Sequence, residues 1–286
     1  MVYVDNGIFL GNDNNQITEA IQQIQSLGLN IGDQGHPADY VGINIRKLKD
    51  GSYEFTQRAL IDSIINDVGL TDSKTKPVPA KEVSLQLHAF KDQPAFNLDF
   101  NYRSAIGKLN YLAQTTRPDI MYATHQIAKY SSDPRKEHGE AIIYLVRYIK
   151  GTRHLGLKFK VDCTKGFECY VDADFSGAWN RAFAATDPST AKSRGGWIVF
   201  YAGCPIIWAS KLQTQVALST TEAEYIAMSM ALRDVIPIME LVREMKNRKF
   251  EVICTEPLVY CKVFEDNSGA LELARLPKLR PRSKHI

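Results

Sequence analysis

Three stretches of this chain place carboxylates where a strand or a helix should begin or end: Tyr170-Val-Asp-Ala-Asp-Phe-Ser-Gly177, Ser219-Thr-Thr-Glu-Ala-Glu-Tyr225 and Glu265-Asp-Asn-Ser-Gly269. Carboxylate oxygens are hard ligands suited to Mg2+ or Mn2+, and a fold that gathers three of them makes a pocket able to hydrolyse a phosphodiester. In the first stretch Tyr170, Asp172 and Asp174 alternate with Cys169 and Val171. A strand would therefore carry both aspartates on one face, roughly 7 Å apart, and only one need be catalytic. In the second, Ser219 and Glu222 have the spacing of a capping box, which makes Glu222 structural. Glu224 instead heads the stripe Ala227, Ala231 and Val235, which should pack on a sheet. A carboxylate in that position is either partnered by a metal ion or is a half-exposed first-turn glutamate favoured by the helix dipole. In the third, Asp266 stands at a strand-to-helix junction. It is a site residue at the carboxyl end of a strand, or else Asp266 or Asn267 merely caps the helix.

Local periodicity supplies the elements that must hold these residues. Leu155, Leu157 and Phe159 alternate and read as the start of a sheet, followed by the strand that carries Asp172. Gly196 to Tyr201 and Pro205 to Ala209 read as a hairpin around Gly203, after a surface loop over 182–193. The helix that starts at Ser219 should break or kink before Pro237. Residues 258–267 read as a strand and 268–276 as the helix after it. Upstream, Val2 to Leu10 reads as a hairpin turning at Asp5-Asn6-Gly7. A helical stripe from Ile17 stops at Gly28, Tyr40 to Ile45 turns through Lys49-Asp-Gly51 into a second hairpin strand, and a helix covers 57–68. A proline-bearing linker spans 76–94, and helices follow over 102–115, 120–130 and 138–150. His125 and His138 read as ordinary polar-face histidines.

With 286 residues, 44% hydrophobic and 23% charged, the chain can bury more than one core. The net charge is only +3, although Arg275 to Ile286 holds five Lys/Arg and no acid, so the local field there is basic. Five cysteines without a Cys-x-x-Cys pair argue against a disulfide framework and a zinc site. No apolar run reaches the roughly 18 residues that span a bilayer, and the N-terminus lacks a signal pattern. The expectation is a soluble intracellular protein, cytoplasmic or nuclear, with no membrane partner and an oligomeric state that the sequence leaves open.

Tyr3-Val-Asp-Asn6, Tyr40-Val-Gly-Ile-Asn-Ile45 and Gln57-Arg-Ala-Leu-Ile-Asp-Ser-Ile-Ile65 resemble the end of the palm of copia-type retrotransposon reverse transcriptases. Tyr102 to Ala113, Thr116-Arg-Pro-Asp-Ile120 and Tyr148-Ile-Lys-Gly-Thr152 are similar to the segment that follows that palm. Tyr170 to Gly177, Ser193-Arg-Gly-Gly-Trp197, Ile207-Trp-Ala-Ser-Lys211, Val216 to Ala227, Asp266-Asn-Ser-Gly-Ala270 and Arg282-Ser-Lys-His-Ile286 look like the ribonuclease H domain of copia-type Pol polyproteins. The resemblance covers nearly the whole chain. It implies an α/β protein: a ribonuclease H-like mixed sheet with flanking helices over 155–286, preceded by an α+β palm remnant over 1–75 and a linker with a small helical, thumb- or connection-like segment over 76–154.

The same resemblance implies Asp172, Glu224 and Asp266 as catalytic, metal-binding carboxylates, and Asp174, Ser210 and Lys211 as possible substrate contacts. The cofactor would be Mg2+ or Mn2+, with two ions about 4 Å apart acting on the RNA strand of an RNA–DNA hybrid. Selection for RNA would come through the 2′-hydroxyl and the minor groove. Two departures bear on activity. The family's palm turn carries two adjacent acids, whereas here Asp5 is followed by Asn6, a weaker ligand, and the other palm aspartate would precede residue 1, so no polymerase activity is expected. The family's Lys-His-Ile motif runs on into an acidic fourth ligand and a final helix, whereas this chain stops at Ile286; ribonuclease H activity is expected to be absent or low. The rival readings are a non-catalytic hybrid-binding module, using the basic tail and the groove beside Lys211, and a non-functional element remnant.

Overall fold

The structure is a computed structural model that describes residues 2–3, 6–9, 11, 13–32, 35, 38–81, 87–89, 92–182, 184–250, 252 and 259–276. Asp5 and the motif 282–286 lie outside the described residues. β1 (Val2–Tyr3) and β2 (Asn6–Gly7) form the expected hairpin, but Tyr3 pairs with Asn6, so Asn6 and Gly7 belong to its second strand and not to its turn. α1 (Asn14–Ser26) is capped by Asp13, whose Oδ1 accepts the Asn15 amide at 2.8 Å, and it stops at Gly28, where φ is +86°.

A four-stranded antiparallel sheet follows, in the order β3 (Asp39–Tyr40), β4 (Ile43–Lys47), β5 (Tyr53–Thr56), β6 (Leu157–Phe159). Two sequence expectations are corrected here. The single strand expected over Tyr40 to Ile45 is folded at Val41 and Gly42, whose φ values of 53° and 72° make a tight turn between β3 and β4. β6 does not begin the C-terminal sheet; its Leu157 pairs with Phe55, and the rings of Phe55 and Phe159 pack 4.6 Å apart. Gly156 permits this approach, because a Cβ there would stand 2.0 Å from the Phe55 carbonyl oxygen.

Four helices build the first apolar core: α2 (Arg58–Asp67), α3 (Tyr102–Thr115), α4 (Met121–Ala128) and α5 (Lys136–Gly151). Ile61, Ile64, Leu109, Leu112, Ile142 and Leu145 are fully buried between them. Each such side chain contributes on the order of 1.5–3 kcal/mol of transfer free energy. His138 is also fully buried, against the polar-face expectation. Its Nδ1 accepts the Arg135 amide at 2.9 Å, closing the first turn of α5, and its Nε2 lies 2.9 Å from the His88 carbonyl oxygen. Arg117 grips Asp119 at two points and also donates to the backbone and hydroxyl of Thr152, tying the turn before α4 to the end of α5.

The second core lies under a mixed sheet in the order β10 (Cys261–Phe264), β7 (Phe167–Asp174), β8 (Arg194–Tyr201), β9 (Cys204–Leu212). β10 runs parallel to β7, and the other pairs are antiparallel. α6 (Thr220–Asn247) lays Ala227, Ala231 and Val235 on Cys169, Val171 and Val199, as the stripe from Glu224 predicts. α6 does not break at Pro237. Pro237 is exposed, so the carbonyl it leaves without a helical donor lies on the solvent side of the helix, where the lost bond costs least. α7 (Ser268–Arg275) follows β10. Among the described residues, no helix is long and apolar enough to cross a membrane.

Candidate metal centre

Asp172 lies on the exposed face of β7, Glu224 in the first turn and a half of α6, and Asp266 just past β10. The fold brings one carboxylate oxygen from each to within 4.8 Å of the others. Glu224 is only 7% exposed, whereas Asp172 and Asp266 are open to solvent. The cluster thus has a buried floor and an exposed rim.

The residues beside each carboxylate explain which of them is free to act. Ser219 Oγ accepts the Glu222 amide at 3.1 Å, and Glu222 Oε2 accepts the Leu218 amide at 2.8 Å. Glu222 therefore holds the start of α6, with its return bond made one residue earlier than the usual cap amide. At the other junction the cap is Asn267, whose Oδ1 accepts the Ala270 amide at 3.0 Å. That leaves Asp266 to the cluster.

Burial pushes the Glu224 carboxyl up to about 7, and the neighbouring charges of Glu265, Asp172 and Asp266 add to the effect, against a hydrogen bond from the Ala173 amide. Its Oε2 has no hydrogen-bond partner. Glu265 is the residue that sequence reasoning missed. It is 9% exposed, raised by burial, and its Oε2 is likewise without a partner, while Oε1 accepts the Asn267 amide at 3.1 Å. The alternation of Cys261, Val263 and Glu265 was the available signal, since it puts Glu265 on the inward side of β10.

The three possible substrate contacts do not sit together. Asp174 and Ser210 share with Asp172 a groove of about 410 Å³ between the sheet and α4. Burial and the charge of Asp172 raise the Asp174 carboxyl, opposed by Arg194. Lys211 instead places its Nζ 5.1 Å from the centre of the Trp197 ring, and it lines a separate cavity along the edge of β9 with His125 and Asp234. Asp5 lies outside the described residues, and Asn6 is placed only as part of β2.

No family model matches the chain. It is 30% identical over its whole length to the retrovirus-related Pol polyprotein from transposon RE1 of Arabidopsis thaliana, matching 18% of that protein. It is 29% identical to the corresponding polyprotein from transposon RE2 of the same plant, again over the whole chain and 18% of the relative. The identity to the polyprotein from transposon TNT 1-94 of Nicotiana tabacum is 29%, over the whole chain and 20% of that protein. The chain spans about a fifth of the length of these relatives.

Proposed function

Since this chain belongs to the retrovirus-related Pol polyproteins of copia-type transposons, we propose that its C-terminal sheet is a ribonuclease H-like unit with at most low activity toward the RNA strand of an RNA–DNA hybrid. The observation that carries this reading is the meeting of Asp172, Glu224 and Asp266 around a buried Glu224 whose Oε2 has no hydrogen-bond partner among the described residues. Three hard oxygen donors with mutual repulsion and an orphaned buried atom suit Mg2+ or Mn2+. Such a cation supplies an activated water and charge for the leaving oxygen.

The chain's own groups supply position. Glu224 is held by the helix start that Ser219 and Glu222 cap, and Asp172 by its ladder with Gly196 opposite. Asp172 and Asp266, on the open rim, face the side from which a phosphodiester arrives. Tyr122, Tyr170 and Trp208 give the groove beside Asp172 flat walls for sugar and base. In this reading 1–75 corresponds to the end of a palm, 76–154 to a connector and 155–286 to the nuclease, with β6 contributed back to the first sheet.

A labelled RNA–DNA hybrid incubated with the full chain in MgCl2 or MnCl2 tests the proposal. The expected result is slow, metal-dependent cleavage of the RNA strand that Asp172→Asn abolishes. Hybrid binding without cleavage in either metal would instead favour a non-catalytic binding module.

A further inference from the structure

We propose that the seam between α4 and the C-terminal sheet binds a backbone phosphate of nucleic acid, with Arg194 as its anchor and Lys129 as its second cation. The proposal rests on the nucleic-acid reading above, but its observations are separate from the carboxylate cluster. Arg194 opens β8 opposite Asp174 and is 6% exposed. Its guanidinium stacks 5.5 Å from the centre of the Tyr122 ring on α4, and its Nη1 donates to the Ser210 carbonyl at 3.1 Å. Its Nε has no hydrogen-bond partner, and Arg194 makes no ion pair with any described residue. Arg117, equally buried, shows the contrast, because it is gripped at two points by Asp119.

A buried guanidinium with a free donor is an anion site lacking its anion, and the planar fork of arginine suits phosphate. The charge of Asp174 is felt by Arg194, but the two make no ion pair. Lys129 follows the end of α4 at the same seam, half-buried, with its ammonium 5.4 Å from the Tyr130 ring centre and no ion pair among the described residues. Burial and the charge of Arg194 both lower the Lys129 ammonium, and Asp187 opposes them. Arg194 lines the same groove of about 410 Å³ as Asp172, a volume that accommodates a nucleotide unit. A phosphate held at Arg194 therefore belongs to the strand that passes the carboxylates.

The test is fluorescence anisotropy of a labelled RNA–DNA hybrid with the full chain in EDTA, across a salt series, alongside cleavage of the same hybrid in MnCl2. Lys129→Gln and Arg194→Gln are each expected to weaken binding about 10-fold at low salt and to flatten the slope of log affinity against log salt by about one. Arg194→Lys should recover much of the slope, and cooperative thermal unfolding checks that each variant is folded. If Arg194→Gln does not fold, the half-buried Lys129→Gln carries the test. Cleavage by wild type with unchanged affinity and slope in the variants would overturn the phosphate site and leave the ribonuclease reading standing. A variant-dependent slope without cleavage would do the reverse, and no hybrid binding by wild type would overturn both.

Discussion

Glu224 and Glu265 meet where the start of α6 passes the end of β10, respectively 7% and 9% exposed, and each keeps its Oε2 without a hydrogen-bond partner among the described residues. Two buried carboxyls in that position require either a proton or a cation between them and the aspartates on the rim. On the reading proposed above, the cluster would hold a proton when free of metal and a cation when its carboxylates are ionised.

The pH dependence of the metal-free protein follows. Glu224 has its carboxyl raised to about 7 from an ordinary 4.5, so its stabilising contribution is fully present below the ordinary value and is lost as pH rises through about 7. In EDTA the melting temperature should fall between pH 5.5 and pH 8, and MnCl2 should restore it at pH 8 with little effect at pH 5.5. Glu224→Gln should remove the MnCl2 response, reduce the pH response to the share left by Glu265 and Asp174, and stabilise the metal-free protein at pH 8 by about 1–3 kcal/mol. Melting curves insensitive to MnCl2 at every pH would contradict the cation site.

Gly177 is the support of Asp174. A Cβ at residue 177 would stand 2.1 Å from both carboxylate oxygens of Asp174, so Gly177→Ala must push that side chain aside while leaving Asp172 in its ladder. Hybrid cleavage by Gly177→Ala should drop about 10-fold, a smaller loss than that of Asp172→Asn. Cleavage rates equal to wild type would show that the placement of Asp174 does not matter to the reaction.

His138 sets the acid limit of the helical core. Its ring is stacked 4.2 Å from that of Tyr130 and is bonded at both nitrogens, to the Arg135 amide and to the His88 carbonyl. Burial holds its imidazole below the ordinary 6.5, against the hydrogen bond to the His88 carbonyl and the charge of Glu137, with the charges of His88 and Arg135 adding to the lowering. The folded state resists the proton that the unfolded chain accepts, so stability is lost as pH falls below about 6.5. His88, lowered chiefly by burial, adds to the same loss. His138→Gln should flatten the acid limb measured by urea unfolding, with the His88 share remaining. A variant profile parallel to wild type on that limb would assign the loss elsewhere. With the opposing Glu224 effect at higher pH, the metal-free protein should be most stable in between.

Much of this architecture is local and was legible in residue order. Ser219 and Glu222 announce the start of α6, Gly28 the end of α1, and Ala202-Gly203, with φ of 51° and 74°, the turn of the β8–β9 hairpin. The alternation of Cys169 and Val171 with Asp172 and Asp174 assigns the faces of β7, because successive side chains of a strand point to opposite sides. The motifs around Asp172, Glu224 and Asp266 also led to the family that the curated relatives identify.

Partnership between distant segments was not legible, because alternation states a face and never a neighbour. Leu157 to Phe159 alternate like any strand, and their pairing with β5, which the bare backbone of Gly156 against Phe55 permits, is seen only in the folded chain. Pro237 weakens a helix on paper, yet α6 continues because the residue faces water and the stripe around it is already packed. Ser210 and Lys211 are adjacent in sequence, yet they line different cavities. Amino-acid order by itself determined the elements, their faces and which carboxylates cap helices or head buried stripes. Only the tertiary structure decided that Asp172, Glu224 and Asp266 meet, that Glu265 is buried beside them and that Arg194 is buried without an ion pair. Those facts depend on which surfaces exclude water together, and that is settled by packing between segments far apart in the chain.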